Sequence, residues 1–302
     1  MRYKRPTRRS DNIEDRRGAR MSTGAKMGAG AGGGGIIAIL LALLFGGAFG
    51  GGGGAGFDVG SPLDSIGAAP AASGEAPIPP EDDSEAELVD FLSVVLDDNQ
   101  AFWAEQFDRS GREYTETTLV LFRDATQSGC GAASSATGPF YCSLDKKVYL
   151  DLAFFEEMSR RFGAPGDFAQ AYVVSHEIAH HVQNELGISS EVIRLSQQNP
   201  GDRNELSVRQ ELQADCLAGV WAHSVYSYGD VDTTGLELTR GDIEEALEAA
   251  RAVGDDRIQE SVTGRIDPEK FTHGTSEQRS EWFTRGLDTG DPEQCDTFSG
   301  DI

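Results

Sequence analysis

The sequence predicts an α+β domain that is mostly helical, with a small β-sheet, preceded by a single N-terminal transmembrane helix. Two segments rich in β-branched and aromatic residues, Tyr114–Phe122 and Lys146–Phe154, have the composition of strands. After Pro165 the apolar residues recur at helical spacing almost to the C-terminus. Strands early in the chain and helices later are typical of an α+β fold. The predicted helices span residues 168–186, 189–198, 205–227, 240–253 and 275–287.

Charge is unevenly distributed along the 302 residues, whose formal net charge is −24. Residues 1–35 hold nine of the 26 basic and three of the 50 acidic side chains, so the remainder holds 17 basic and 47 acidic side chains. A body this acidic repels polyanions, which excludes nucleic acid and anionic lipid as expected ligands. Hydrophobic residues make up 38% of the chain, enough for a packed core.

The predicted transmembrane anchor is residues 27–57, a glycine-rich stretch without a charged side chain. Its apolar centre is Ile36–Phe49, and the uncharged window around it reaches the ~20 residues that a spanning helix needs. The basic residues 1–26 precede it, which predicts a cytoplasmic tail and an extracytoplasmic body in a single-pass membrane protein. The alternative is a secretory signal peptide that is cleaved after Phe49, but the long basic leader favours a retained anchor.

Residues 58–82 are rich in Pro, Ala, Gly and Ser and are predicted to form a flexible linker, because they offer too few apolar side chains for a core. The folded domain is predicted to span residues 83–302. Its first helix is expected to begin with a capping box of Ser84 and Glu87, ahead of apolar residues at helical spacing.

The stretch SHEIAHHVQ, residues 175–183, contains the pattern H-E-x-x-H in the middle of a predicted helix. Asp167 is a suitable N-cap for that helix and Gly187 a suitable stop. The apolar side chains between them repeat on one face. The motif therefore has room on both sides for firm packing.

Within that helix His176 and His180 are four residues apart and share a face. Two imidazoles at this spacing can bind one Zn²⁺ at ~2.0–2.1 Å. Glu177 lies beside them and can reach a water molecule at the metal. His181 points elsewhere, and we expect it to be a hydrogen-bonded histidine of the core or the helix surface. The alternative is a helix that carries histidines by chance. Such a helix would not be accompanied by a third metal ligand elsewhere in the sequence.

The third ligand is predicted in a later helix, in the stretch RQELQADCLAGVWA. Its Glu211 and Asp215 are four residues apart among mostly apolar neighbours. Two carboxylates in such a place need a cation, because burial alone would raise their pKa values. We therefore expect Glu211 to bind the metal and Asp215 to orient a histidine through its other ring nitrogen. The alternative, a solvated acidic stripe, is disfavoured by the apolar neighbours.

H-E-x-x-H followed by E-x-x-A-D on a second helix resembles the gluzincin zinc endopeptidases, including the CAAX-processing class. A later His-x5-Arg belongs to that pattern, and here it is THGTSEQR, with His273 and Arg279. Longer stretches, among them GPFYCSLDKKVYLDLAFF, GAPGDFAQAYVVSHEIAHHVQ and LSVRQELQADCLAGVWAH, resemble the putative neutral zinc metallopeptidase family. The similarity runs from NIEDRRG near the N-terminus to DPEQCDTF near the C-terminus. It implies a zincin-like fold and a zinc cofactor.

The resemblance also implies roles in the hydrolysis of a peptide bond. Glu177 would be the general base toward a water that zinc activates, and would pass the proton to the leaving amine. His273 would donate to the oxyanion, the alternative being a turn residue in THGTS. Arg279 would pair with Glu211 or Asp215 and hold the second helix.

A peptide substrate could pair with an exposed sheet edge through main-chain hydrogen bonds, which would tolerate many side chains. The candidate edge strand begins four residues after Cys142 and is expected to lie beside the predicted zinc site. An ordinary interior strand is the alternative. The residues concerned are Lys146, Lys147, Val148, Tyr149 and Leu150.

The chain has four cysteines, and none of them is spaced as C-x2-C. An even number in a domain expected outside the membrane indicates disulfides, for which three pairings are possible. The favoured pairing is Cys130–Cys142, which closes a Gly/Ser-rich loop, with Cys216–Cys295, which ties the C-terminus to the ligand helix. Buried free thiols are the alternative for a cytosolic domain.

The leading functional hypothesis is a membrane-anchored zinc endopeptidase with a peptide or protein substrate. The competing hypothesis is a non-catalytic, zinc-stabilised module that binds peptides or assists envelope assembly. Glu177 favours catalysis, because a structural zinc site does not need a base. A third hypothesis is a latent enzyme whose zinc is covered by residues 187–207 or by the linker.

Overall fold

The computed structural model describes residues 1–19, 76–79, 81–164, 166–232 and 234–302. The predicted anchor, residues 27–57, and most of the predicted linker lie outside the described residues. Among the helices that the structure describes, none is long and apolar enough to cross a membrane.

Helices dominate the described part of the chain, and most strands come from its first half, which confirms the mixed, mainly helical α+β class. The strands are β1 (Arg2–Tyr3), β2 (Ile13–Asp15), β3 (Thr118–Phe122), β4 (Ala125–Ser128), β5 (Gly131–Ser134), β6 (Phe140–Cys142), β7 (Lys147–Asp151) and β8 (Leu236–Glu237). The α-helices are α1 (Ala86–Arg109), α2 (Ala153–Phe162), α3 (Asp167–Glu185), α4 (Ile188–Gln198), α5 (Arg203–Tyr228), α6 (Arg240–Ala252), α7 (Asp255–Thr263) and α8 (Ser276–Thr289).

The main sheet has the strand order β2-β3-β7-β6, with β6 antiparallel to β7 and the other neighbours parallel. The predicted substrate-edge strand, Lys146–Leu150, corresponds to β7, which lies between β3 and β6. Val148, Tyr149 and Leu150 are buried there. The edge prediction is therefore wrong, because β6 covers that side of β7. With only three residues, β6 is too short to give a periodic sequence signal.

The helices pack around α3, which contacts α1, α5 and α6. Helices α5 and α8 cross so closely that two glycines are required at the contact. A Cβ atom on Gly219 would lie 2.1 Å from the carbonyl oxygen of Phe283, and one on Gly286 would lie 1.9 Å from that of Cys216. This crossing brings Asp215 of α5 beside Arg279 of α8.

Two predicted helix starts differ from the structure. Helix α1 begins at Ala86, and its N-cap residue, Glu85, makes no side-chain capping bond. The capping box of Ser84 and Glu87 is therefore wrong, because the chain turns there around Asp83, which accepts from the backbone N–H of Glu85. Helix α3 begins at Asp167 itself, after Gly166.

Residues 1–19 form part of this fold. Strand β2 pairs in parallel with β3, and β1 pairs with β8. The side chain of Arg17 has no exposed surface and lies 2.8 Å from carboxylate oxygens of Asp15 and of Asp83. The domain is thus larger than the predicted range 83–302, because the basic N-terminus complements acidic side chains of the domain.

Both disulfides of the favoured pairing are present, Cys130–Cys142 and Cys216–Cys295. The first joins the end of β6 to the turn between β4 and β5. The second joins α5 to the C-terminal segment. The four cysteines are therefore not free thiols.

Candidate metal centre

Helix α3 presents His176 and His180 toward Glu211 of α5. His176 Nε2 lies 3.1 Å from Glu211 Oε2, and His180 Nε2 lies 3.4 Å from Glu211 Oε1. One ligand atom from each residue lies within 4.8 Å of the other two. Tetrahedral zinc with ligands at ~2.0–2.1 Å places its ligand atoms roughly 3.4 Å apart. The donor types and their spacing therefore fit a zinc ion.

The far ring nitrogen of His176 contacts Asp215, with 2.9 Å between Nδ1 and Oδ1. Arg279 donates to both carboxylate oxygens of Asp215, from Nε at 2.8 Å and from Nη2 at 3.0 Å. The hydroxyl of Tyr172 donates to Oδ1 at 2.5 Å. Because a carboxylate accepts, Nδ1 of His176 carries a proton, and Nε2 is the nitrogen that can give up its proton and bind a metal.

The second histidine is oriented by an amide instead of a carboxylate. His180 Nδ1 lies 2.9 Å from Gln183 Oε1. Gln183 uses its Nε2 to donate to the carbonyl oxygen of Gln210 and to Gln213 Oε1. Its oxygen therefore accepts from Nδ1, which leaves Nε2 of His180 as the atom that can bind a metal.

Burial opposes the charged form of each group in this cluster, and the neighbouring charges reverse its effect. Burial favours the neutral ring of His176, but Asp215 and Glu211 raise its pKa above the ordinary value. Burial also opposes ionisation of Glu211, yet His180 and His176 hold its pKa well below the ordinary value. Arg279 and His176 lower the pKa of Asp215 against the same effect. Two ionised carboxylates thus make the site favourable for a cation.

Glu177 lies beside the two histidines and lines the same cleft. Burial raises the pKa of Glu177, and the nearby His180 and His176 only partly offset this effect. A carboxylate with a raised pKa is a stronger base than an exposed one. The position and the proton affinity of Glu177 suit a general base.

His273 lines the cleft from the segment between α7 and α8, and its side chain is 35% exposed. Its Nδ1 lies 3.1 Å from Oδ1 of Asp255, whose Oδ2 accepts from the backbone N–H groups of Thr272 at 2.6 Å and of His273 at 2.7 Å. Burial favours the neutral ring, but Asp255 and Glu211 raise the pKa of His273. A protonated ring can donate from Nε2.

These groups open into a cleft of about 520 Å³. The metal centre, Glu177 and His273 supply its polar wall. The remaining wall is largely apolar and includes Phe140 and Tyr141 of β6, so the true sheet edge lies beside the metal centre. Other apolar lining residues are Phe154, Val173, Ile193, Val253 and Ile258.

His181 is not part of the His–His–Glu cluster and is fully buried. Burial lowers the pKa of His181 despite its hydrogen bond to the carbonyl oxygen of Thr115. Sequence reasoning missed three residues that hold the site, Tyr172, Gln183 and Asp255. Tyr172 is four residues before His176 and so lies on the ligand face, a signal that was available. The sequence around Asp255, 18 residues before His273, carries no comparable pattern.

Comparison with known proteins agrees with this geometry. A family model described as "Putative neutral zinc metallopeptidase" matches residues 1–298. The "Uncharacterized protein YpfJ" of Escherichia coli (strain K12) is 50% identical over 220 residues, which are 72% of this chain and 74% of that protein. The "Uncharacterized protein Rv2575" of Mycobacterium tuberculosis is 49% identical over 191 residues, 62% of this chain and 64% of that protein. No solved structure shows significant similarity to the chain.

The family model extends over both helices that carry the His–His–Glu cluster and over the N-terminal strands that pack on the domain. Family membership and site geometry therefore rest on the same residues. The chain belongs to the putative neutral zinc metallopeptidase family.

Proposed function

We propose that the protein is a zinc-dependent endopeptidase that hydrolyses peptide bonds with Glu177 as general base. The main support is the convergence of His176, His180 and Glu211 beside Glu177 in a cleft. Structural zinc sites are usually closed by four protein ligands, whereas catalytic sites use three and keep one position open. Three donors next to a buried carboxylate match the catalytic arrangement.

His176, His180 and Glu211 would hold a zinc ion, which would supply the Lewis acidity that activates water near neutral pH and polarises a peptide carbonyl. Glu177 accepts a proton from the attacking water and passes it to the nitrogen of the leaving amine. His273, fixed by Asp255, donates a hydrogen bond to the developing oxyanion. Arg279 holds Asp215, and Asp215 keeps His176 in the tautomer that presents Nε2.

The substrate we propose is an extended segment of a peptide or protein. The cleft has an apolar wall and a sheet edge, which favour main-chain pairing and apolar side chains over a charged small molecule. Two disulfides support a location of the domain outside the cytoplasm, where disulfides persist. Membrane attachment through residues 27–57 stays a prediction from the sequence.

Cleavage of an unfolded protein tests this proposal. We expect the zinc-loaded protein to cut it, chelation to reduce cleavage to the background rate, and added zinc to restore it. Circular dichroism of the chelated sample separates loss of zinc from loss of fold. A protein that binds one zinc ion without cutting any unfolded substrate would instead be the non-catalytic module. Cleavage that survives complete removal of zinc would exclude the metal from the reaction.

A further inference from the structure

We infer that the hydrogen bond between His181 and Tyr141 fixes edge strand β6 relative to the metal, so that both are positioning residues for the substrate. The inference rests on the proposed endopeptidase function. His181 follows the candidate ligand His180 on α3, and Tyr141 is the central residue of β6. Their bond links the strand beside the cleft to the helix that carries two of the three candidate ligands.

Both ring nitrogens of His181 are engaged. Nε2 lies 2.6 Å from the carbonyl oxygen of Thr115, and Nδ1 lies 3.0 Å from the hydroxyl of Tyr141. A carbonyl oxygen only accepts, so Nε2 carries the proton and Nδ1 accepts from the hydroxyl. Asn184 donates its side-chain amide to the same hydroxyl at 3.2 Å. Two residues of α3 therefore hold the side chain of Tyr141.

Strand β6 is fixed at a second point by the disulfide between Cys142 and Cys130. One edge of β6 pairs with β7, and no strand among the described residues pairs with the other edge. Phe140 and Tyr141 line the cleft. A peptide that adds to the unpaired edge is thus aligned with the metal through the contact between His181 and Tyr141.

The test compares Tyr141→Phe with a matched variant, Tyr114→Phe. The ring of Tyr114 packs edge-on against the same His181 at 5.4 Å, but its buried hydroxyl has no hydrogen-bond partner among the described residues. Each variant removes one hydroxyl beside His181, and only the first breaks a link to β6. Asn184→Ala weakens the same link without changing a residue of the cleft, and serves as a second variant.

For a zinc-loaded Tyr141→Phe protein we expect KM for a peptide of about ten residues to rise roughly fivefold, as for loss of one hydrogen bond, with kcat within about twofold of wild type. A peptide too short to reach β6 should be cleaved as by wild type. Asn184→Ala should raise KM for the long peptide by a smaller factor. Tyr114→Phe should leave KM unchanged for both the long and the short peptide.

Equal kinetics for Tyr141→Phe and Tyr114→Phe would overturn the inference. An equal rise in KM for the long and the short peptide would also overturn it, because that would be a general structural effect. A wild-type protein that cleaves neither peptide would count against the proposed function, not against this comparison. Zinc content measured on the same samples separates these outcomes from loss of the metal.

The contacts of residues 1–19 carry a second inference independently: we infer that this segment and residues 81–302 lie in the same cellular compartment. Strand β2 pairs with β3 along its whole length, and the backbone N–H of Arg16 donates to the carbonyl oxygen of Leu121 at 2.7 Å. The guanidinium of Arg16 also donates to Thr126 Oγ1 at 3.0 Å and to the carbonyl oxygen of Gln127 at 2.8 Å. A cytoplasmic N-terminus opposite an extracytoplasmic domain would break these contacts, so this inference replaces the single-pass topology predicted from the sequence.

Thiol labelling in intact cells tests this second inference on the full chain. The four native cysteines are paired, so Arg8→Cys or Ile266→Cys adds a single free thiol. The side chain of Arg8 is 79% exposed and Ile266 is 50% exposed. We expect a membrane-impermeant maleimide to label both variants in intact Gram-negative cells, or both only after lysis. Labelling of one in intact cells and of the other only after lysis would overturn the inference.

Discussion

Replacing Glu177 by Gln is expected to lower kcat for peptide hydrolysis by about 10²- to 10⁴-fold, the range that a positioned acid–base group contributes. The amide keeps the size of the side chain but cannot accept the proton from water. Zinc content should not change, because the three candidate ligands are His176, His180 and Glu211. Steady-state kinetics and metal analysis on the same preparations provide the measurement.

Glu105→Gln is the control for this variant. Glu105 lies on α1 and pairs at 2.5 Å with Arg109; both side chains are more than half exposed, and neither lines the cleft. A surface pair of this kind contributes little, so kcat should stay within about twofold of wild type. A Glu177→Gln protein that keeps its zinc and cleaves peptides as fast as wild type would exclude Glu177 as the base.

Replacing Arg17 by Ala is expected to lower the free energy of unfolding by about 3–5 kcal/mol, the range for removing one partner of a buried ion pair. The side chain of Arg17 has no exposed surface, and that of Asp83 is only 1% exposed. Without the guanidinium, Asp15 and Asp83 would remain buried without a full counter-charge. Urea unfolding of the zinc-loaded protein measures the change.

The contribution of Arg17 to the free energy of unfolding should also depend on pH. Burial opposes ionisation of Asp83, but Arg17 holds its pKa below the ordinary value. A carboxylate with a lowered pKa in the folded state stabilises at neutral pH, and the effect is lost as the pH falls through that pKa. The difference in the free energy of unfolding between wild type and Arg17→Ala should therefore become smaller at acidic pH.

Arg8→Ala is the control, because Arg8 pairs with Asp11 at the surface and both side chains are more than 70% exposed. Arg8→Ala should change the free energy of unfolding by no more than about 0.5 kcal/mol. If Arg17→Ala were as stable as Arg8→Ala, residues 1–19 would not be an integral part of the domain.

The sequence was sufficient to predict the ligand helices, because the residues involved repeat at helical spacing. His176 and His180 are four residues apart, as are Glu211 and Asp215, and the predicted ranges of α3 and α5 end within two residues of the observed bounds. Spacing alone does not bring the two helices together. The need of buried carboxylates for a cation predicted that pairing, the family resemblance agreed with it, and the structure places the candidate ligand atoms of the two helices within 4.8 Å of one another.

Several contacts between distant segments left no pattern in the sequence, although the disulfide pairing and the partner of Arg279 were predicted. The basic residues 1–26 were interpreted as a membrane flank, because composition shows charge but not the acidic side chains that neutralise it. Tyr172 meets Asp215 across 43 residues, and Asp255 meets His273 across 18. Strand β6, which forms the sheet edge beside the cleft, has only three residues, too few for a recognisable sequence pattern.

The most direct test of the metal centre is an anomalous difference map at the zinc absorption edge from crystals of the zinc-loaded protein. We expect one peak at ~2.0–2.2 Å from Nε2 of His176, Nε2 of His180 and a carboxylate oxygen of Glu211, with a coordination position open to the cleft. A zinc peak away from these three residues, or a site closed by a fourth protein ligand, would contradict the account.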